Sequence, residues 1–263
     1  NKQGQELSIV LNSLQPTPAI EPLTKDTALL KYARDQLAMQ YDATDGGFGN
    51  APKFPMPATI ERMLRHWAFS RKEGEADPQA LEMAMNTLTK VARGGIYDHI
   101  GGGFARYSVD EKWLVPHFEK MLYDQALLIH AYLDAYIVTS DPFYSETVHQ
   151  ICEYVLRDMT DKDGGFYSAE DADSKGEEGT FYIWNSEELK NILNNDEYLI
   201  ISKILNINEN GNAIVEGHKT NIPHMTLNWD KLQKDYKIDI NKKYNNIVNK
   251  IFNYREKRVH PQK

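Results

Sequence analysis

"DGGFGNAPKFP", Asp45–Pro55, is echoed twice further along the chain, as "GGGFARYSVD", Gly101–Asp110, and "DGGFYSAEDADS", Asp163–Ser174. The phenylalanines of the three stretches, Phe48, Phe104 and Phe166, stand 56 and 62 residues apart, which is the period of a supersecondary repeat. A segment with apolar residues at helical spacing precedes each loop: Thr27–Tyr41, Pro78–Val91 and Pro142–Met159. The second and third of these open on Asp-Pro, with Asp77 and Asp141 as N-caps and the proline at the first helical position. A helical segment also follows each loop: Pro57–Phe69, His117–Val138, and Glu187–Leu193 with Ser186 as its N-cap. The repeating unit is therefore helix, glycine loop, helix and short return.

Antiparallel neighbours alternate in direction, so the long loops are expected at one end of the assembly and the short returns near Gly74 and Ser140 at the other. "ALLIHAYLDAYIV", Ala126–Val138, is apolar nearly all round and predicts a helix buried on both sides, whereas the segment from Thr27 is one-sided. That contrast implies two concentric helical layers and an all-α fold. After about Asn194 the pattern weakens to a short helix ending at Leu205 and an irregular stretch. Helical spacing returns at Trp229–Leu232 and Asn241–Lys257.

With 263 residues and 41% hydrophobic content the chain can bury a sizeable core. A net charge of −8 argues against nucleic acid and anionic membranes as partners, since both reward basic surfaces. No apolar run approaches the ~20 residues of a membrane span, and "NKQGQELSIV" has no signal-peptide features, so a cytoplasmic protein is expected. Cys152 is alone in "VHQICEYVL", which excludes an intrachain disulfide and predicts an inert buried thiol.

The chemistry-bearing residues concentrate in "ARYSVDEKWLVPHFEKMLYDQ", Ala105–Gln125. Pro116 reads as a first helical position, placing His117 and Glu119 at a helix N-terminus, where the dipole favours a neutral imidazole. Helical spacing then puts His117 on one line with Asp124, Leu128, Ala131 and Ala135, and Glu119 on another with Tyr123, His130 and Asp134. Arg106, Tyr107 and Trp113 supply groups that bind hydroxyls or carboxylates, and His99 beside Asp98 is a second candidate base. In the third loop Glu170, Asp171 and Asp173 offer carboxylates for acid/base work. Asp171 also begins an EF-hand-like spacing, but Lys175 and Tyr182 stand where ligands are required, so no metal is expected. Phe48, Phe104 and Phe166 complete the candidate set as aromatic walls. No cofactor-binding motif is present.

"GGFGNAPKFP", "GGIYDHIGGGFARYSVDEKWLVPHFEKMLYDQA", "DGGFYSAEDADSKGEEGTFYIW" and "YREKRVHPQK" resemble the helical region of the spermatogenesis-associated thioredoxin-like family, the YyaL family of bacteria. The resemblance implies an (α/α)6 toroid similar to six-hairpin glycosidases and N-acylglucosamine 2-epimerases, spanning residues 25–263, with residues 1–24 as a linker or the tail of a preceding domain. At about 55–65 residues per unit the chain supplies roughly four of six hairpins, so an incomplete toroid is expected, without the family's thioredoxin-like domain. The expected function is carbohydrate binding or processing, epimerase-like or hydrolase-like, with a small-molecule sugar as substrate. The alternative is a non-catalytic interaction module whose partner is the thioredoxin-like domain.

Overall fold

The computed structural model describes residues 2–13, 27–226 and 239–263. Its helices are α1 (Lys2–Ser13), α2 (Ala28–Gln40), α3 (Pro57–Lys72), α4 (Pro78–Arg93), α5 (Leu122–Thr139), α6 (Pro142–Asp158), α7 (Ser186–Ile192), α8 (Asn195–Ile204) and α9 (Ile240–Arg255). Residues 1–33 and 34–263 form separate compact units. In the first, α1 buries no residue. The fold class is all-α with toroid-like helical hairpins, as the repeat predicts. The segment Trp229–Leu232 lies outside the described residues. No described helix is long and apolar enough to cross a membrane.

In the larger unit α3 packs on α4 and α5, and α5 packs on α6. Asp77 caps α4 by accepting from Ala80 N, and Asp141 caps α6 by accepting from Phe143 N, each followed by proline. The returns turn where expected, with Gly74 at φ 88° and Ser140 at φ 57°. Ile60, Met63, Met83, Leu88, Leu128 and Tyr132 meet in the principal core. A second core joins α7, α8 and α9 through Leu189, Ile201, Ile204, Ile247 and Ile251.

Each glycine loop is closed by an aspartate three or four positions ahead of the glycine whose N–H it accepts. The carbonyls of Asp42, Asp98 and Asp161 accept from Gly46, Gly102 and Gly164 N at 2.8–2.9 Å. Their Oδ1 atoms take further loop N–H groups: Thr44 and Asp45, Ile100 and Gly101, and Asp163. Short antiparallel bridges, Tyr41 to Phe48, Tyr97 to Phe104 and Thr160 to Phe166, then seal the loops. The second carboxylate oxygen is held by Lys53 at 2.7 Å in the first loop, by Lys120 at 3.0 Å in the second and by the Tyr167 hydroxyl in the third. These side-chain bonds satisfy loop N–H groups that would otherwise have no partner.

Four of the sequence expectations are corrected. The helix expected from His117 starts at Leu122, because residues 116–121 are used in sheet ladders. β1 (Tyr107–Ser108) pairs antiparallel with β2 (Pro116–His117), and β3 (Lys120–Met121) with β4 (Ala169–Glu170). Further two-stranded ladders join β5 (Asp173–Ser174) to β6 (Glu177–Glu178) and β7 (Ala213–Val215) to β8 (His218–Thr220). The N-cap of α7 is Asn185, which accepts from Glu188 N, and not Ser186. Helix α5 buries Gln125, Leu128, Ala131, Tyr132 and Ala135, while Leu127, Leu133 and Ile137 on its other side are exposed among the described residues. Cys152 is half-buried rather than buried.

Candidate active site

Pro116 has no N–H to contribute to a ladder, so it is tolerated where its partner, Ser108, does not need one. Asp110 builds the turn between β1 and β2: its Oδ1 accepts from Lys112 and Leu114 N, and its Oδ2 from Val115 N at 2.6 Å. The turn brings Tyr107 against His117, ring centroids 4.9 Å apart and nearly parallel, and Phe54 packs on Tyr107 at 4.8 Å. One step beyond the ladder, Arg106 N donates to Glu119 O at 2.8 Å, and the Arg106 guanidinium donates to Glu119 Oε2 at 2.8 Å.

His117 lies between two carboxylates. Its Nδ1 is 2.8 Å from Glu178 Oε1, and its Nε2 is 3.8 Å from Glu119 Oε2. Asp124, in the first turn of α5, interacts electrostatically with Arg106 and Glu119. Burial pushes its carboxyl up to about 6; Glu119 adds to the rise and Arg106 opposes it. Asp124 Oδ2 and Arg106 Nε are both buried with no hydrogen-bond partner among the described residues. His117, Glu119 and Glu178 are about a quarter exposed and Arg106 40%, so the group is reachable from solvent. Tyr123 and Phe54 present exposed aromatic rings.

His117, Glu119, Asp124, Arg106 and Tyr107 thus come together, although not on one helix as the spacing implies. Leu128, Ala131 and Ala135, which helical spacing places on one line with His117, are fully buried in the principal core. His99 is buried elsewhere: its Nε2 is 3.0 Å from Gly94 O, its ring meets Tyr97 edge-on, and burial lowers it to about 4. Trp113 is fully buried and donates its indole N–H to Asp45 O at 2.8 Å. Phe48 and Phe104 are core residues, whereas Phe166 is 57% exposed.

Glu170 is buried and accepts from the hydroxyls of Tyr154 and Tyr182. Asp171 Oδ1 accepts from Asp173 N, and both aspartates are exposed. Sequence reasoning missed Glu178, the partner of His117. The glycine after it carries the local signal. Gly179 has φ 77°, and a Cβ there would meet the Phe118 ring at 2.5 Å, so this backbone must approach the His117 strand closely.

No family model matches the chain. Human spermatogenesis-associated protein 20 is 46% identical over 164 residues, 60% of this chain and 21% of that protein. Protein B0495.5 of Caenorhabditis elegans is 34% identical over 231 residues, 81% of this chain and 31% of that protein. The chain thus spans about a fifth to a third of the curated relatives' length. Among solved structures, cellobiose 2-epimerase from Bacillus thermoamylovorans is 15% identical with a TM-score of 0.45, covering 88% of this chain and 72% of that one. The sequence relatives support the resemblance to the spermatogenesis-associated family that the four motifs carry.

Proposed function

We propose that the chain is a segment of a protein of the spermatogenesis-associated thioredoxin-like family and that the Arg106–His117–Glu119–Asp124 group binds a sugar and moves protons on it, in the manner of an epimerase. The observation that carries this reading is Asp124: a carboxyl pushed up to about 6, with one oxygen lacking a partner among the described residues, within electrostatic reach of Glu119, which stands 3.8 Å from the quarter-exposed imidazole of His117. A general acid must hold its proton near the operating pH, and a general base must present a lone pair. Asp124 supplies the first and His117 Nε2 the second. Arg106 and Glu119 offer a donor and an acceptor for hydroxyls, and the exposed rings of Tyr123 and Phe54 offer flat apolar faces for a sugar ring. Pairing Asp124 with Glu119 as acid and carboxylate would instead serve a hydrolase, and the product distinguishes the two.

The test is a thermal-shift screen against monosaccharides, disaccharides, sugar phosphates and N-acetyl sugars, repeated with His117→Asn and Asp124→Asn. Binding to the native state raises the melting temperature. One sugar class should give a rise that both substitutions diminish. A flat response across the panel would overturn the sugar reading and leave the protein-interaction module, which a pull-down with a thioredoxin-like domain then tests.

A further inference from the structure

Glu178 reaches His117 from a hairpin that the sequence places 61 residues away. Its Oε1 accepts from Phe118 N at 3.0 Å and faces His117 Nδ1 at 2.8 Å, so one carboxylate oxygen is aimed at the ring and at the adjacent backbone together. Glu178 is itself fixed by the ladder of β5 with β6, where it pairs with Asp173. A carboxylate can only accept, so the short contact requires a proton on Nδ1. In a neutral imidazole the lone pair then sits on Nε2.

We propose that Glu178 is the positioning residue of this site: by holding the Nδ1 proton of His117 it fixes the ring's tautomer and makes Nε2, on the side of Glu119, the atom that accepts a proton. The charged groups that face the ring are Glu178 on β6 and Glu119 between β2 and β3, with Arg106 behind Glu119; Tyr107 on β1 covers a ring face. Glu119, at 3.8 Å, is too far to compete for a ring proton by hydrogen bonding. Gly179 is what permits the contact, because any side chain there would drive the Glu178 strand off Phe118. The inference rests on the proton-transfer reading for its catalytic meaning, but the tautomer itself does not depend on a sugar.

The experiment is nitrogen-15 NMR of histidine-labelled protein above the titration range of histidine, with the His117 signals assigned by their loss in His117→Asn. The wild type should show a protonated Nδ1 and an unprotonated Nε2. Glu178→Ala should return the ring to a mixture in which the Nε2–H form, favoured in water, predominates. Glu178→Gln keeps an acceptor oxygen and should restore the wild-type pattern. Near-ultraviolet circular dichroism checks that each variant is folded. A wild-type His117 carrying its proton on Nε2, or one unchanged by Glu178→Ala, overturns the proposal. If the tautomer behaves as stated but no sugar binds, the proton-transfer reading fails and the positioning role stands.

Discussion

Lys120 Nζ meets Asp98 Oδ2 at 3.0 Å in an interior where both side chains are less than a tenth exposed. Arg255 reaches the other oxygen of Asp98 at 2.8 Å, and Lys120 also donates to Gly102 O and lies over the rings of Tyr154 and Tyr182. The pair ties β3, the second glycine loop and α9 together. Burial alone would raise Asp98, but the charges of Arg255 and Lys120 overcome it and hold its carboxyl well below the usual range. Breaking a buried pair leaves an uncompensated charge and costs about 3–5 kcal/mol. Lys120→Met should therefore lower the urea midpoint by a corresponding amount. A loss under about 1 kcal/mol would show that Arg255 suffices.

Because Asp98 titrates lower in the folded state than its unfolded value of about 3.9, its contribution is complete above that pH and drains away as acid is added. Acid titrations followed by circular dichroism should show wild-type stability falling below pH ~4 more steeply than that of Asp98→Asn. Parallel curves would assign the acid transition to other carboxylates.

Asp124 has the opposite sign. Its folded value, about 6, lies above the unfolded one, so its stabilising contribution is present below pH ~4 and is lost as the pH rises through 6. Asp124→Asn should match the wild type at pH 4 and exceed it at pH 8, by roughly 1–2 kcal/mol after allowing for solvent screening. Chemical denaturation at the two pH values measures the difference. On the proposed proton-transfer reading the same substitution would also abolish turnover, a trade of stability against activity common at functional sites.

His99 is buried neutral, with burial lowering it to about 4. Its contribution is full above the unfolded value near 6.5 and is lost as the pH falls toward 4. His99→Gln should flatten the stability profile between pH 6.5 and 4 while lowering stability at pH 7.5. A slope unchanged by the substitution would mean that this ring is accessible to protons in the native state.

The glycine loops give a paired prediction. A Cβ on Gly103 would lie 2.4 Å from the Tyr154 ring at φ 78°, whereas on Gly164, at φ 89°, it meets nothing within 4 Å among the described residues. Gly164→Ala should cost only the left-handed backbone penalty of about 1–2 kcal/mol. Gly103→Ala adds a clash with a buried aromatic and should cost about 3 kcal/mol or more. Equal losses in thermal melts would count against this packing.

The repeat was legible because its signals are local: Asp-Pro starts, glycine pairs and helical spacing all act within a few residues. The site was only half legible. Pro116 followed by His117 carries the signature of a helix start, yet proline is equally at home in a ladder that needs no N–H from it, and Asp110, six residues earlier, decides between them by capping a turn. Glu178 was hidden for a different reason. Its partner is brought near by tertiary structure, and the one local sign, Gly179 beside it, marks a close backbone approach without naming what is approached. The Asp headings of the three loops were present in the sequence but overshadowed by the glycines that follow them.

Those three headings have a consequence for engineering. The first two loops are locked from outside, Gly46 against the α4 backbone and Gly102 against Gln150 O, so each is hostage to the helix that covers it. The third closes on its own residues, through Asp161 and Tyr167, with Phe166 exposed. A self-contained turn can be lengthened without disturbing its surroundings. An affinity tag or a fluorophore placed after Lys162 would therefore report on the protein while leaving Arg106, His117, Glu119 and Asp124 untouched.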